Sequence, residues 1–533
     1  ALTVLPDDDR VRLVAALLFG VHHVDVVARE GGDVDAAEFP DAIDVASVDQ
    51  HPVDAGLEPG GDSPLSRLPV ADLVVGFQPY GACHTFSVAG AAIERGGTVP
   101  QTRETVAPRR DRFYTDSPAL VGMELRIDEA RFGRTFEEYS AIGGTDDGGL
   151  NRLALTDADR EARDRLVADL RALGLDVSVD EVGNVFGRRA GNQDLDPVFI
   201  GSHLDSQPYG GRFDGQLGVL TALETLRTLE DHDVTTDRPL VAVNWTNEEG
   251  ARFAPALMGS SAFTGRATVE ETLSTSDEYD GDVTVGEELE RIGYAGERPC
   301  EAADIHSYLE LHVECGPELE ANGNRIGVVD AIYASTWLEV TVRGESKHAG
   351  PTPMKERRDA VEAATEAIQE IYAIPDRIDD ESVVTVGEVH VSPNKRNIIP
   401  SEVTFSVDFR SGSTSAVAEA KTAVERALDA SCRTHGTSYG IEEVMAKART
   451  DFSSAVTDAI EAAAVSLDYP YQYIESAAGH DAMPMNEVAE SAMVMVPSVG
   501  GECHTESELT RTQDCLAGAN VFANAAYTLA MEP

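Results

Sequence analysis

The stretch PVFIGSHLDSQPYGGRFDGQLGVLTALETLRTLE, residues 197–230, contains the pattern that decides the fold. Its apolar start, PVFIGS, predicts a buried strand, and GQLGVLTALETLRTLE predicts the helix that follows. Between them lie His203, Asp205 and Asp214, surrounded by four glycines. Ionisable side chains at the end of a buried strand are costly unless something compensates them. A metal ion is the first candidate for that role.

The alternation of strands and helices continues on both sides of this stretch. A helix is predicted over residues 156–174, where Thr156 is an N-cap candidate and Gly174 closes the helix. RPLVAVNW, residues 238–245, predicts another buried strand. Strands that alternate with helices predict an α/β fold, with a mixed, mostly parallel sheet flanked by helices on both faces.

A different pattern occupies residues 335–445. STWLEVTVRGES, SVVTVGEVHVSP and EVTFSVDFRS alternate apolar with polar residues, which predicts half-exposed strands, and two helical segments lie among them. With a last strand expected near SYGIEEV, this order predicts a ferredoxin-like α+β domain that acts as a lid and dimerisation domain. We expect it to be inserted between two parts of the catalytic domain, residues 123–334 and 446–533.

Residues 1–122 differ in composition from the rest of the chain. They contain no lysine, asparagine or methionine, and no motif is found in them. Met123 is the first methionine of the chain. One hypothesis is that the native protein begins at Met123, and the alternative is a genuine N-terminal module of unknown role.

The charge balance narrows the class of protein. A formal net charge of -52 argues against a nucleic-acid-binding surface, because phosphates would be repelled. The scarce lysine and the acidic residues spread along the chain are typical of proteins from salt-loving microbes. No apolar run reaches the roughly 18 residues of a membrane span, and no signal-peptide cleavage pattern is found. We therefore expect a halophilic cytoplasmic protein without a membrane partner.

The cysteines lie far apart and form no CxxC pair. This spacing predicts a reducing compartment, with neither a disulfide framework nor a thiolate zinc site. The six positions are Cys83, Cys300, Cys315, Cys432, Cys503 and Cys515.

Several ligand-type residues fall where predicted strands end. His203 follows one strand, Glu248 and Glu249 follow the next, and His312 lies at the end of a third. Each alone is more often structural, but ligands of open α/β sheets bind at this edge, where these residues and Asp214 would meet. Imidazole and carboxylate ligands suit zinc first, and also manganese, cobalt or nickel. A second glutamate beside a ligand glutamate provides a base for water.

An ordered series of motifs carries a resemblance to one family. The motifs are GSHLDSQPYGGRFDGQLGV, NWTNEEGARFAPALMGSSAFTG, ELHVECGPELE, KHAGPTPM, NIIPSEVTFSVDFRS, GHDA and PSVGGECHTESE. They resemble the hydantoinase/carbamoylase-type amidohydrolases, which include N-carbamoyl-L-amino acid hydrolase, allantoate amidohydrolase and β-ureidopropionase. The resemblance covers residues 124–533 and does not extend to residues 1–122.

The resemblance implies a site with two divalent metal ions. Asp214 would bridge them, His203 and His312 would hold one ion, and Glu249 and His504 the other. Asp205 would hydrogen-bond His203 and orient it, and Glu248 would be the general base. Spacing alone does not single out His504.

The resemblance also implies substrate contacts from a homodimer. His348, Asn397 and Arg410 would reach the site of the neighbouring subunit, His348 as a donor to the developing oxyanion and Arg410 to a substrate carboxylate. The alternative for Arg410 is a strand-surface residue paired with Asp408. Gly479 and His480 would line the pocket wall; these two complete the expected substrate-binding set.

The implied activity is hydrolysis of the ureido C–N bond of an N-carbamoyl-L-amino acid, giving the amino acid, ammonia and carbon dioxide. Allantoate amidohydrolase or β-ureidopropionase is the near alternative, and a dipeptidase or deacylase a more distant one. A binding protein without catalysis is the alternative from another class. Cys315 stands where the family usually has glutamine, which puts the substrate preference in question and leaves the metal ligands unaffected.

Overall fold

The computed structural model describes residues 123–379 and 381–532, together with the backbone of two short strand pairs upstream. The chain divides into two compact units, Ala1–Phe113 and Tyr114–Pro533. In the first unit, Leu2–Asp7 pairs with Arg10–Ala15 and Val74–Val75 with His84–Thr85, both antiparallel. The rest of residues 1–122 lies outside the described residues. Whether this stretch is a genuine N-terminal module or precedes a native start at Met123 therefore stays a hypothesis.

The first part of the second unit alternates helices with strands, as the sequence predicts. Its helices are α1 (Glu129–Ser140), α2 (Asp157–Ala172), α3 (Gln216–Asp231), α4 (Met258–Phe263), α5 (Val269–Ser274), α6 (Val285–Ile292) and α7 (Glu318–Asn322). Its strands are β1 (Asp176–Val179), β2 (Val185–Arg189), β3 (Val198–His203), β4 (Leu240–Trp245), β5 (Ser307–Glu314) and β6 (Ile326–Ile332). The Thr156 side chain accepts the Asp159 N–H and caps α2, as expected.

The middle of the unit forms a separate antiparallel sheet, here called the second sheet. Its elements are β7 (Ala334–Arg343), α8 (Ala360–Tyr372), α9 (Pro375–Ile378), β8 (Val383–Thr385), β9 (Val389–Ser392), β10 (Glu402–Ser411), α10 (Thr414–His435) and β11 (Ser438–Lys447). The strand order is β8-β10-β7-β11, with β9 also paired to β10. Helices α8 and α10 pack on this sheet around a core of their own, which agrees with the ferredoxin-like prediction.

The chain then returns to the first sheet, here called the main sheet. The last elements are β12 (Thr450–Asp451), α11 (Ser454–Ser466), β13 (Tyr471–Ser476), α12 (Ala482–Met485), β14 (Glu490–Pro497) and α13 (Thr512–Ala530). The strand order is β12-β6-β14-β5-β3-β4-β2-β1, with β13 also paired to β6. Because main-sheet strands precede and follow the second sheet in the chain, the second sheet is an insertion.

The centre of the main sheet is parallel and completely covered. Strands β14, β5, β3 and β4 run in the same direction, and every residue of β3, β4 and β5 is buried. Helices α3 and α13 pack on this sheet, and the apolar face of β3 joins their core. Burial of side chains such as Val198 and Ile200 contributes roughly 1.5–3 kcal/mol each. The predicted mixed α/β class is therefore confirmed.

Among the described residues, no helix combines the length and the apolar character that crossing a membrane requires.

Candidate metal centre

Two parallel neighbours of the main sheet, β3 and β5, bring two histidines together. His203 is the last residue of β3, and His312 lies near the end of β5. The ring centroids are 5.9 Å apart. The Asp214 Oδ1 atom lies 2.9 Å from His312 Nε2 and 3.5 Å from His203 Nε2. All three side chains are buried, so the two histidines that the sequence places at strand ends and the aspartate of the glycine-rich loop form one cluster.

Glycines shape the loop that carries Asp214 to this cluster. Gly215 has a φ of +61°, and a Cβ there would stand only 2.2 Å from the His203 ring. A Cβ on Gly211 would stand 2.0 Å from the Glu508 carboxyl carbon. Gly215, with its positive φ and a buried ring against it, requires glycine, whereas a side chain at Gly211 would displace the Glu508 carboxyl group. The glycines of the quoted stretch therefore let the backbone wrap closely around the first ligands.

The other oxygen of Asp214 faces a second group of ligand-type residues. Asp214 Oδ2 lies 3.2 Å from His504 Nε2, which in turn lies 3.5 Å from Glu249 Oε2. The hydrogen bond to Asp214 raises the pKa of His504 to about 9. Despite its burial, which acts in the opposite direction, the surrounding histidines hold the pKa of Asp214 well below its usual range. Asp214 thus stands between two pairs of residues.

The geometry of these groups fits divalent metal ions. Oxygen and nitrogen ligands at about 2.0–2.1 Å in a tetrahedral shell lie about 3.3 Å apart, and the four separations from Asp214 and His504 run from 2.9 to 3.5 Å. His203 Nδ1 contacts a backbone carbonyl, and its buried Nε2 has no hydrogen-bond partner. A buried, unpartnered imidazole nitrogen beside carboxylates is the arrangement that a bound cation stabilises.

Glu248 lies beside the cluster without belonging to the ligand pairs. It follows β4, and its Oε2 is 3.5 Å from His203 Nε2. Burial raises the pKa of the Glu248 carboxyl well above its ordinary value. A carboxyl with raised proton affinity at this distance is suited to accept and return a proton.

Asp205 is placed differently from the expectation. Its carboxylate oxygen is 3.8 Å from His203 Nδ1, whereas its backbone carbonyl is 3.0 Å away. The carboxylate instead accepts the N–H groups of Glu248 and Glu249, at 3.2 Å each. Two backbone donors occupy its oxygens, so Asp205 orients His203 through its carbonyl group and holds the two glutamates through its side chain.

Two further buried glutamates support the site, and sequence reasoning missed both. Glu508 Oε1 accepts the N–H groups of Phe213 and Asp214, and so holds the loop that carries Asp214. Glu310 accepts the Ser202 hydroxyl, next to His203, and the Ala482 N–H. The signal for Glu310 was its place inside a buried strand, two residues before His312.

Two cations of the second sheet line the pocket that the metal-centre residues also line. Arg410 and Lys447 line the same pocket as Gly479 and His480. Arg410 forms an ion pair with Asp408 at 2.7 Å, and its Nη1 donates to the Ala477 carbonyl at 2.8 Å. The alternative reading, a strand-surface pair with Asp408, is therefore present, and Arg410 also lines the pocket of its own chain. Its expected contact with a substrate in a neighbouring subunit stays a prediction.

Lys447 is a pocket residue that sequence reasoning missed. It ends β11, and its Nζ lies 3.5 Å from the point where a Cβ on Gly479 would stand. The nearest signal was the last predicted strand of the inserted domain, near SYGIEEV, which ends before Lys447. His480 is buried, with its ring 4.4 Å from that of His312, and it contacts the Ser476 hydroxyl.

His348 and Asn397 lie together but away from this pocket. The Ala349 N–H donates to the Asn397 carbonyl, and His348 forms a β-bridge with Ile398. Both side chains are exposed, and neither lines the pocket of its own chain in the part that the structure describes. Their expected action in a neighbouring subunit stays a prediction.

The expectation of unpaired cysteines is wrong for two positions. Cys315 and Cys503 form a disulfide, with a Cα–Cα distance of 5.2 Å. They are 188 residues apart in the chain, but β5 and β14 are adjacent parallel strands, and each is followed by a loop that carries one cysteine. Spacing along the chain could not reveal this pairing. Cys300, Cys432 and Cys515 are buried and free.

Comparison with known proteins places this geometry in a family. The model of peptidase family M20/M25/M40 matches residues 199–528. The N-carbamoyl-L-amino-acid amidohydrolase of Rhizobium meliloti is 38% identical over 408 residues, covering 76% of this chain and 98% of that protein. The allantoate amidohydrolase of Bacillus subtilis is 31% identical over 395 residues, covering 74% and 96%.

The solved structures agree with this result. The crystal structure of a hydantoinase/carbamoylase family amidase from Burkholderia multivorans has 43% sequence identity and a TM-score of 0.72, and it covers 77% of this chain and 99% of its own. The matched region contains the metal-centre residues described above. The chain therefore belongs to peptidase family M20/M25/M40, in its hydantoinase/carbamoylase branch, and is a metal-dependent hydrolase of C–N bonds.

Proposed function

We propose that the protein hydrolyses the ureido C–N bond of an N-carbamoyl-L-amino acid and releases the amino acid, ammonia and carbon dioxide. The observation that carries this proposal is one pocket lined both by residues of the metal centre and by Arg410 and Lys447. Such a pocket suits a small substrate that has both a neutral amide-type carbonyl and a carboxylate. The relatives named above act on substrates of this kind.

The metal ligands divide into two pairs around Asp214. His203 and His312 would hold one divalent ion and Glu249 and His504 the other, with Asp214 between them. Bound there, the ions supply a Lewis acid that polarises the ureido carbonyl and activates water. Zinc is the first candidate for this ligand set, and manganese, cobalt and nickel are alternatives.

Glu248 is the proposed general base and acid. Its carboxylate takes the proton from the attacking water and later gives it to the leaving nitrogen. Its burial matches both halves of this role, because a carboxyl with a raised pKa binds the proton in one step and holds it until the next. His348 would donate a hydrogen bond to the developing oxyanion, and its exposure fits a role in the site of a partner subunit.

Allantoate is the second candidate substrate, because it too carries ureido groups and a carboxylate. The relative from Bacillus subtilis is named for that activity. The two substrates differ in what lies next to the carboxylate: allantoate has a second ureido group, and an N-carbamoyl amino acid has a side chain. Gly479 and His480 are the proposed wall residues on that side.

Ammonia release from a panel of ureido compounds tests the proposal. The enzyme is stripped with a chelator, reloaded with one metal ion at a time, and offered N-carbamoyl-L-amino acids, their D-isomers, N-carbamoyl-β-alanine and allantoate. We expect the highest kcat/KM for an L-carbamoyl substrate and no activity before reloading. A higher kcat/KM for allantoate would favour the second candidate. Release from peptides or N-acetyl amino acids, with no release from ureido compounds, would refute the proposal.

A further inference from the structure

The Cys315–Cys503 pair lies directly against the metal centre. Cys503 immediately precedes His504, and its Sγ is 3.5 Å from Asp214 Oδ2. Asp214, Cys503 and His504 each offer one ligand atom, and these three atoms all lie within 4.8 Å of one another. One metal ion could therefore contact all three. Cys315 lines the pocket. The disulfide, a redox-active group, therefore lies next to Asp214 Oδ2. This is the carboxylate oxygen that faces His504.

The distances are those of a thiolate ligand. Sulfur at about 2.3 Å and oxygen at about 2.0–2.1 Å in a tetrahedral zinc shell lie about 3.5 Å apart, which is the observed separation between Cys503 Sγ and Asp214 Oδ2. Thiolate is a strong ligand for zinc and cobalt. A sulfur that is bonded to another sulfur is uncharged and a poor donor, so the disulfide withholds this ligand.

The two loops stay together independently of the disulfide. The Gly500 N–H donates to Glu320 Oε2 at 2.7 Å, and Arg511 forms an ion pair with the same carboxylate. A Cβ on Gly501 would stand 2.8 Å from the backbone of Gly316, so the loop backbones are in close contact. Reduction of the disulfide should therefore leave Cys503 next to Asp214.

We propose that reduced Cys503 is a protein ligand of the metal ion held by Asp214, Glu249 and His504, and that its disulfide with Cys315 removes this ligand. The proposal rests on the metal centre and is independent of the substrate.

The switching step balances as a thiol–disulfide exchange. A small disulfide, RS–SR, takes two electrons and two protons from the thiols of Cys315 and Cys503; one protein S–S bond forms, one S–S bond of the reagent breaks, and two RSH molecules leave. The reverse reaction with a dithiol restores both thiols. Cys315 is exposed, so the reagent can reach it.

Cobalt binding provides the test, because a cobalt–thiolate bond has its own near-ultraviolet charge-transfer absorption. The full chain is stripped of metal, reduced with a dithiol, freed of reductant and titrated with Co²⁺. We expect this band in the reduced wild type, its loss after oxidation with oxidised glutathione, and weaker Co²⁺ binding in equilibrium dialysis. Outer partners of metal ligands are worth roughly 10–100-fold in affinity, so loss of a direct ligand should cost at least tenfold.

Three variants separate the proposal from its alternatives. Cys503→Ser should show no band in either redox state, whereas Cys315→Ser should keep the band and, because it cannot form the intramolecular disulfide, should need no reductant. Cys432→Ser, at a buried free cysteine of the second sheet's helix α10, is the matched control and should behave as wild type. A band in Cys503→Ser, or Co²⁺ binding by reduced wild type without a band, would overturn the proposal.

Alkylation gives a second readout that needs no variant. In the reduced wild type, bound Zn²⁺ should slow the reaction of Cys503 with iodoacetamide at least tenfold and leave Cys315 reactive, as peptide mass mapping would show. Equal rates with and without Zn²⁺ would contradict ligation by Cys503. Neither measurement uses ammonia release, so a failure of this proposal is distinguishable from a failure of the proposed function.

Discussion

Lys447 is the cation that we expect to select for a substrate carboxylate. Its side chain is half-buried in the pocket wall beside Gly479, and among the described residues it has no acidic partner within 4 Å. Burial, together with the charges of Arg266 and Arg410, lowers its pKa. The Glu248 and Asp408 charges oppose this lowering only in part, and Arg410 already donates to Asp408 and to a backbone carbonyl, so Lys447 is the pocket cation without an ion pair of its own among the described residues. An incoming carboxylate would supply the missing partner.

The expected loss follows from that charge. A hydrogen bond between charged groups contributes about 1.5–3 kcal/mol, which corresponds to about 10- to 150-fold in kcat/KM at 25 °C. Lys447→Met should lose this amount on an N-carbamoyl-L-amino acid, and Lys447→Arg should keep much of the activity. The loss should appear mainly in KM if the carboxylate is bound equally in the ground and transition states.

The assay is ammonia release from an N-carbamoyl-L-amino acid and from its uncharged carboxamide. The carboxamide lacks the charge that Lys447 would bind, so Lys447→Met should leave its slower hydrolysis unchanged. Lys421→Met is the matched control, because Lys421 pairs with Glu443 on the outside of the second sheet domain and an exposed pair contributes only about 0.2–1 kcal/mol. Equal losses on the acid and on the carboxamide would refute carboxylate binding by Lys447.

Three other outcomes are expected. By elemental analysis, Glu248→Gln should retain both metal ions, and its kcat should fall roughly 10²–10⁴-fold. Asp214→Ala should instead lose the metal ions themselves. An active Glu248→Gln enzyme would contradict the role of Glu248 as general base. Mixing inactive Glu248→Gln subunits with inactive His348→Ala subunits should restore activity if His348 acts across a dimer. Mixing Glu248→Gln with Arg410→Ala subunits should not, because Arg410 faces its own chain's pocket. No rescue in the first mixture, after subunit exchange has been verified, would refute the cross-subunit role of His348. Because the net charge is -52, stability and activity should rise with the potassium chloride concentration. Salt screens the repulsion between acidic residues, since the Debye length falls from roughly 30 Å at 0.01 M to about 3 Å at 1 M. A chain that begins at Met123 should respond alike, and full stability in dilute buffer would contradict salt adaptation.

The cluster of His203, His312 and Asp214 could be predicted from the sequence, because the positions of these residues follow from simple rules. His203 and His312 end buried strands, and parallel strands bring their carboxyl ends to one edge. Asp214 lies in a loop of the same edge, rich in glycine. The approach of Gly215 to the His203 ring shows that these glycines are needed for contact with the ligands as well as for the turn.

The residues that the sequence did not reveal are those whose position depends on long-range pairing. Cys315 and Cys503 meet because β14 pairs with β5, and no local pattern encodes that neighbour relationship. His504 reaches the site for the same reason, because it lies in the loop that follows β14. Lys447 reaches the pocket only through the way in which the second sheet meets the main sheet. Helix and strand periodicity is local information, and it cannot specify which distant ends coincide.

The two sheets divide the chemistry between them. The proposed metal ligands and Glu248 lie in strands of the main sheet or in the loops that follow them, whereas Arg410 and Lys447 come from β10 and β11 of the second sheet. Arg449, just after β11, bonds to Gly412 and to Glu475 of β13, and so ties one end of the second sheet to the main sheet. If Arg410 and Lys447 bind the substrate carboxylate as proposed, a substitution in the second sheet should alter which anion is bound without disturbing the metal ligands.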